Sequence, residues 1–214
     1  MILVHGLYDL NLLDASCVFS FIQQWGGVLF FLLSGICVTL GHRHIYRGLL
    51  VLGCGMLCTA TTAFLYLSGL ATKDLIIYFG VLHCLGACML LWHVFSRLNN
   101  IAILLISVIC MTAGSILSRN YYVSFPWLLP FGFQFPGFSS ADYFPLLPNI
   151  GYFLLGNLLG YKLYQKQISL FPNCDTEKSY IRFLCWCGRH SLPIYLLHQP
   201  VLTSVLWLFS AFYR

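Results

Sequence analysis

The chain has 214 residues, of which 59% are hydrophobic and only 8% charged, with a mean hydropathy of +0.83. Water-soluble domains carry about 25% charged residues, so this chain has too little charge to cover a water-facing globule and reads as a polytopic membrane protein. Its net charge of +5 is a property of membrane loops, and no nucleic-acid partner is expected.

The apolar opening, Met1–Tyr8, covers only about 12 Å of a hydrocarbon core roughly 30 Å thick. It reads as the outer half of a helix expected to begin upstream of Met1. A signal peptide is disfavoured, because there is no basic n-region and no small-residue cleavage site. Full apolar spans are predicted at Phe19–Leu40, Gly48–Leu70, Leu75–Phe95, Ile101–Leu117, Phe144–Tyr164 and Leu184–Phe212. The expected fold is therefore all-α: a polytopic helical bundle of about six full transmembrane helices plus the truncated first one, forming a single domain over residues 1–214.

Lys and Arg are retained on the cytoplasmic side of a bilayer. One set of alternating loops holds Arg43, Arg47, Arg97, Lys162, Lys166, Lys178 and Arg182, with Arg189 beside them, whereas the other holds Lys73, Arg119 and Arg214. The segments 42–47 and 162–189 are thus expected inside, and 9–24 and 118–142 outside. The outer segment YYVSFPWLLPFGFQFPGFSS, with three prolines and two glycines, cannot be a regular helix. It reads as a lid or re-entrant element, or equally as an aromatic interface anchor.

Most of the ten cysteines lie inside spans. Cys54 with Cys58, and Cys84 with Cys88, are spaced i,i+4, but without further ligands they read as small packing residues, and no metal is expected. Gly156 and Gly160 form a small-xxx-small face for close helix contact.

Ionisable groups within spans are expensive and mark sites. His5 lies four residues before Asp9, so the carboxylate can hold the imidazole in one tautomer. His83 is expected roughly 12 Å deep in a span entered at Leu75, and His198 near the midplane of the last span. Each can also be a structural histidine bonding a neighbouring carbonyl. In GRHSLPIYLLHQP, Ser191 is expected to cap the last span and Pro193 to suit its first turn. Free amides at that helix start, with Arg189 beside them, favour a phosphate. Pro200 opens the helix next to His198 and Gln199. A phosphate-binding mouth and a polar interior suit a coenzyme A thioester entering from the cytoplasm.

In order and spacing, FFLLSGICVTLGHR, RGLLVLG, IIYFGVLHCLG, SADYFPLLPNIGYFLLG and GRHSLPIYLLHQPVL resemble bacterial relatives of the catalytic domain of heparan-alpha-glucosaminide N-acetyltransferase, and VHGLYDL resembles the end of that family's first helix. The resemblance implies a transmembrane acyltransferase moving acetyl groups from cytoplasmic acetyl-CoA to a saccharide or lipid-linked glycan on the far side. It maps the family's histidines onto His5, His83 and His198, with Gln199 beside the last, and implies substrate contacts at Asp142 and Tyr143. Asn149 stands where the family pattern has tryptophan, and the family's arginine and acidic residue upstream of the first histidine have no counterpart here. On this reading His5 is the base, Asp9 orients it, His83, His198 and Gln199 steady the thioester oxyanion, Arg189, Ser191, Arg43 and Arg47 bind the donor, and Asp142, Tyr143 and Asn149 face the acceptor. A transporter or permease-like protein is the alternative, opposed by the lack of an inverted repeat. Homo-oligomerisation is left open.

Overall fold

The structure is a computed structural model and describes residues 17–120, 123, 125–164 and 178–198. Among these the chain is helical throughout: α1 (Cys17–Leu40), α2 (His44–Leu67), α3 (Val81–Phe95), α4 (Asn100–Asn120), α5 (Leu146–Leu163) and α6 (Ser179–Arg189), with short 3-10 turns at Lys73–Leu75 and Pro126–Phe131. Residues 191–198 are also helical. Residues 27–164 belong to one compact unit; residues 178–198 belong to another, with residues 17–26 at the start of α1.

Helix ends follow local chemistry. Asn99 accepts the Ala102 N–H through Oδ1 at 2.7 Å and so starts α4. Gly69, at φ +72°, ends α2 in a Schellman turn, with Leu70 N–H on the Leu65 carbonyl and Gly69 N–H on the Tyr66 carbonyl, both at 3.0 Å. At the start of α5 the Leu147–Pro148 peptide is cis and Leu147 is extended, and the regular helix follows them.

Among the described residues, two helices, α2 and the Asn100–Leu117 part of α4, are long and apolar enough to cross a membrane. Only 17% of each window is buried within the protein, whereas the core helix of a water-soluble protein would be mostly covered. Leu49, Leu50, Met56, Leu57 and Phe64 of α2 are exposed on several faces, which fits a helix bathed in acyl chains. The apolar helices Trp25–Leu40 and Val81–Phe95 are shorter.

Two predicted spans are corrected. The one expected from Leu75 has its helix only from Val81, because Ile76–Gly80 is extended or irregular and pairs at Phe79 with Tyr143. The one expected from Leu184 is interrupted: α6 ends at Arg189, and a new helix begins after His190.

Small residues set the packing of the larger unit. A Cβ on Gly35 would lie 2.0 Å from the Phe153 carbonyl oxygen, and one on Gly156 2.0 Å from the Leu32 oxygen, so α1 and α5 touch backbone to backbone, as the small-residue face predicts. Ser107 of α4 donates to the Gly151 carbonyl of α5 at 3.0 Å. Antiparallel α2 and α3 approach where Gly86 faces Leu52 and Gly48 faces Met89. Phe31, Ile103, Phe153, Leu154, Cys84 and Cys88 fill the centre, and the described cysteines are all free thiols.

Candidate functional site

His83 is the third residue of α3 and is 4% exposed. It therefore sits at the helix start, not eight residues into a continuous helix as the hydropathy suggested. Its Nδ1 accepts the Gly80 N–H at 3.2 Å. A backbone N–H can only donate, so Nδ1 carries no proton and the neutral ring holds its hydrogen on Nε2. Nε2 lies 3.2 Å from Thr59 Oγ1, and Thr59 donates onward to the Ile77 carbonyl at 2.7 Å. The imidazole is thus fixed as an Nε2–H donor. Space for the ring comes from Gly55, where a Cβ would stand 3.0 Å from Nδ1.

The segment before α5 closes over this helix start. Asp142 Oδ2 accepts the Val81 N–H at 3.0 Å, which satisfies an orphan amide and places a carboxylate at the positive end of the helix. Gly80 is required by the close approach, since a Cβ there would be 2.3 Å from Asp142 Oδ2. Phe144 N–H bonds the Phe79 carbonyl at 3.0 Å, and Ser140 Oγ shares its proton between the carbonyls of Ile76 and Asp142. Tyr143, beside Asp142, donates its hydroxyl to the Leu129 carbonyl at 2.7 Å and packs edge-on against Phe138. Burial pushes the Tyr143 hydroxyl pKa up to about 12, so it stays a donor. Pro126–Phe131 forms a 3-10 turn ended by left-handed Gly132, consistent with the expectation that this segment is not a regular helix. Asn149 is 7% exposed and its Nδ2 donates to the Pro145 carbonyl at 2.7 Å.

At the opposite end of α2 and α3 the polar side chains are histidines and arginines. The rings of His44 and His93 lie 5.9 Å apart, and His93 Nε2 is 3.4 Å from an Arg97 guanidinium nitrogen. A small cavity of about 10 Å³ opens between Val38, Gly41, His44, Arg47 and Met89. His44 Nε2 is buried and has no hydrogen-bond partner among the described residues. Arg43 precedes α2 and is exposed, as is Arg47.

Ile194 N–H bonds the His190 carbonyl at 3.0 Å, so His190 occupies the N-cap position and Ser191 is the first helical residue; the expected Ser191 cap is corrected accordingly. Arg189 lies in the last turn of α6. His198 Nδ1 donates to the Tyr195 carbonyl. His5, Asp9 and Gln199 lie outside the described residues, as does the expected break at Pro200.

The structure thus brings His83, Asp142 and Tyr143 to one helix start and sets Arg47 and His44 around one cavity. Thr59, Gly55 and Ser140 were missed by sequence reasoning. The signal for Thr59 was present: Thr59, Thr61 and Thr62 put three hydroxyls into four residues of an otherwise apolar helix. Thr62 Oγ1 also accepts the Ile77 N–H at 3.2 Å, so this cluster satisfies both polar groups of Ile77.

Residues 1–200 match the family described as heparan-alpha-glucosaminide N-acetyltransferase, catalytic. No curated protein and no solved structure matches the chain.

Proposed function

The chain belongs to the heparan-alpha-glucosaminide N-acetyltransferase catalytic family, whose members are membrane acetyltransferases, and from that premise we propose that it moves an acetyl group from cytoplasmic acetyl-CoA to an extracytoplasmic sugar or glycan. We place it in a bacterial cytoplasmic membrane as a multi-pass bundle of about six spans and a partial first helix. The observation that carries the reading is the arrangement along α3. A neutral imidazole donor, His83, stands at one end and a basic cavity at the other, and the ten residues from His83 to His93 correspond to about 15 Å of helix. Acetyl-CoA has the matching form, with phosphates at one end of an extended arm and a thioester at the other.

In this scheme Arg43, Arg47 and the unpartnered His44 Nε2 grip donor phosphates through charge-assisted bonds. Arg189 and Ser191 are proposed to add to that grip. The thioester carbonyl takes the place of Thr59 as acceptor of the His83 Nε2–H, which stabilises the oxyanion as it forms. His5, oriented by Asp9, removes the proton from the acceptor hydroxyl or amine, the acceptor attacks the thioester carbon, and coenzyme A leaves as the thiol or thiolate. His198 and Gln199 line the path, and Asp142, Tyr143 and Asn149 form the acceptor side.

The test is direct. Purified protein in bilayers is given acetyl-CoA labelled in the acetyl group, with and without amino sugars. Sugar-dependent release of coenzyme A together with a labelled sugar supports the reading. Absence of acetyl-CoA binding by titration calorimetry, in protein that remains folded, refutes it.

A further inference from the structure

The centre of the larger unit holds a polar side chain that its neighbours satisfy only by half. Asn157 of α5 is 0% exposed, and its Nδ2 donates to the Phe153 carbonyl at 3.0 Å. That contact fixes the amide, since the reversed orientation would set two oxygens against each other. The other atom, Oδ1, is buried and has no hydrogen-bond partner among the described residues. An acceptor left so in apolar surroundings costs free energy, and native proteins carry few of them.

The position of Asn157 relates it to the cavity beside His44. Tyr161, four residues on, shares its helix face and sets its ring 6.3 Å from that of Trp92 on α3. Asn157 therefore faces the seam between α3 and α5, about 6 Å of helix away from Tyr161. On the α1 side, a Cβ on Gly35 would stand 3.0 Å from the Asn157 backbone nitrogen. Val38, which lines the cavity together with Met89 of α3, lies about 4.5 Å farther along α1 than Gly35. A molecule that enters between Val38 and Met89 and continues inward by one helical turn is thus brought to Asn157.

We propose that Asn157 binds the arm of the acyl donor, its Oδ1 accepting one of the two secondary amide N–H groups that lie between the phosphates and the thioester of acetyl-CoA. The assignment rests on the acetyl-CoA reading and adds to it a contact between the two ends of α3. Donor chemistry singles out those groups. The thioester has no N–H or O–H to give, the adenine amine and ribose hydroxyls belong to the phosphate end, and an arm amide brings one uncharged donor to a neutral acceptor. Such a bond is stronger in a low-dielectric interior than in water.

Full-length protein in bilayers is titrated calorimetrically with acetyl-CoA and with two analogues, in each of which one arm amide is replaced by an ester, so that N–H becomes O. The wild-type protein should bind one of the two analogues about tenfold more weakly than acetyl-CoA, the effect of one hydrogen bond of ordinary strength. Asn157→Leu, similar in size but without the acceptor, should bind acetyl-CoA about tenfold more weakly than wild type and no longer distinguish it from that analogue. The analogue series on wild-type protein decides the matter even if Asn157→Leu does not fold. Wild-type affinity indifferent to both ester replacements, equal affinity of wild type and Asn157→Leu for acetyl-CoA, or discrimination that persists in Asn157→Leu overturns the assignment and leaves the donor reading standing. Wild-type protein that does not bind acetyl-CoA at all overturns both.

Discussion

Replacing Thr59 with Val tests the hydrogen-bond chain through His83. Valine nearly matches threonine in shape but lacks the hydroxyl, so the substitution removes the acceptor of the His83 Nε2–H and the donor to the Ile77 carbonyl, contacts of 3.2 and 2.7 Å. The ring cannot respond by changing tautomer, since Nδ1 is held by the Gly80 N–H. His83 is 4% exposed, and an N–H left unpaired in such a place costs about 1–3 kcal/mol. Thermal unfolding of the substrate-free protein should shift down accordingly. Acetyl-CoA affinity should move the other way. On the proposed reading the thioester carbonyl competes with Thr59 for the same N–H, so the variant recovers on binding what it lost when empty. A recovery of about 1.4 kcal/mol is tenfold in Kd, so tightening of up to about tenfold is expected. His83→Ala should weaken binding instead. Calorimetric titration and unfolding of the same preparations read both quantities. The reasoning is refuted if Thr59→Val leaves stability unchanged, or if it weakens donor binding as much as His83→Ala.

His5→Ala should lower acetyl transfer about a hundredfold to ten-thousandfold, the usual cost of losing a general base, while calorimetry shows acetyl-CoA binding intact; unchanged turnover would put the base elsewhere. Arg47→Ala should weaken acetyl-CoA binding by about 1–3 kcal/mol through loss of a charge-assisted bond, and unchanged affinity would reduce Arg47 to a topology anchor. Gly156→Val should destabilise by about 1–3 kcal/mol or more, because its first carbon would lie 2.0 Å from the Leu32 oxygen. Gly53→Ala, with nothing within 4 Å, should instead stabilise by up to about 1 kcal/mol, and thermal unfolding compares the two. The Tyr143 pKa rises from 10.0 unfolded to about 12 folded, so the folded state holds this proton more tightly; its stabilising contribution is complete below pH 10 and is lost as pH climbs through 12. Unfolding of Tyr143→Phe should lack that part of the alkaline slope.

Apolar run length carried α1, α2, α4 and α5 into view, because hydropathy reports the environment in which a helix sits. It placed His83 too deep for the same reason. Ile76, Ile77, Tyr78 and Phe79 are apolar enough to extend the run, yet backbone groups of Ile76, Ile77 and Phe79 bond Thr59, Thr62, Ser140 and Phe144 instead of a helical turn. Those partners lie up to 65 residues away in the sequence, and no local periodicity announces them. The glycine spacing at Gly156 and Gly160 is a local signal and was legible; its receptor around Leu32 and Gly35 was not. Ser191 was a reasonable cap by type, but His190 supplies the first carbonyl of that helix, a matter of backbone angles rather than composition. His83 was singled out as an ionisable group within an apolar span, Asp142 only through the family resemblance. Their meeting at one helix start emerged only with the fold.

The paired helices α2 and α3 touch near both ends, through the Thr59–His83 hydrogen bond at one and the ring contact of His44 with His93 at the other. Sliding either helix past its neighbour by one turn would break both contacts at once, so the pair has a fixed length. On the proposed reading that length is a gauge for the donor. A molecule held by its phosphates at the His93 end presents its thioester to His83 only if its arm spans about 15 Å of helix, and truncated thioesters lacking part of the pantetheine arm would fall short however reactive they are. On that reading, selection of the donor by reach follows from the spacing of two histidines on one helix.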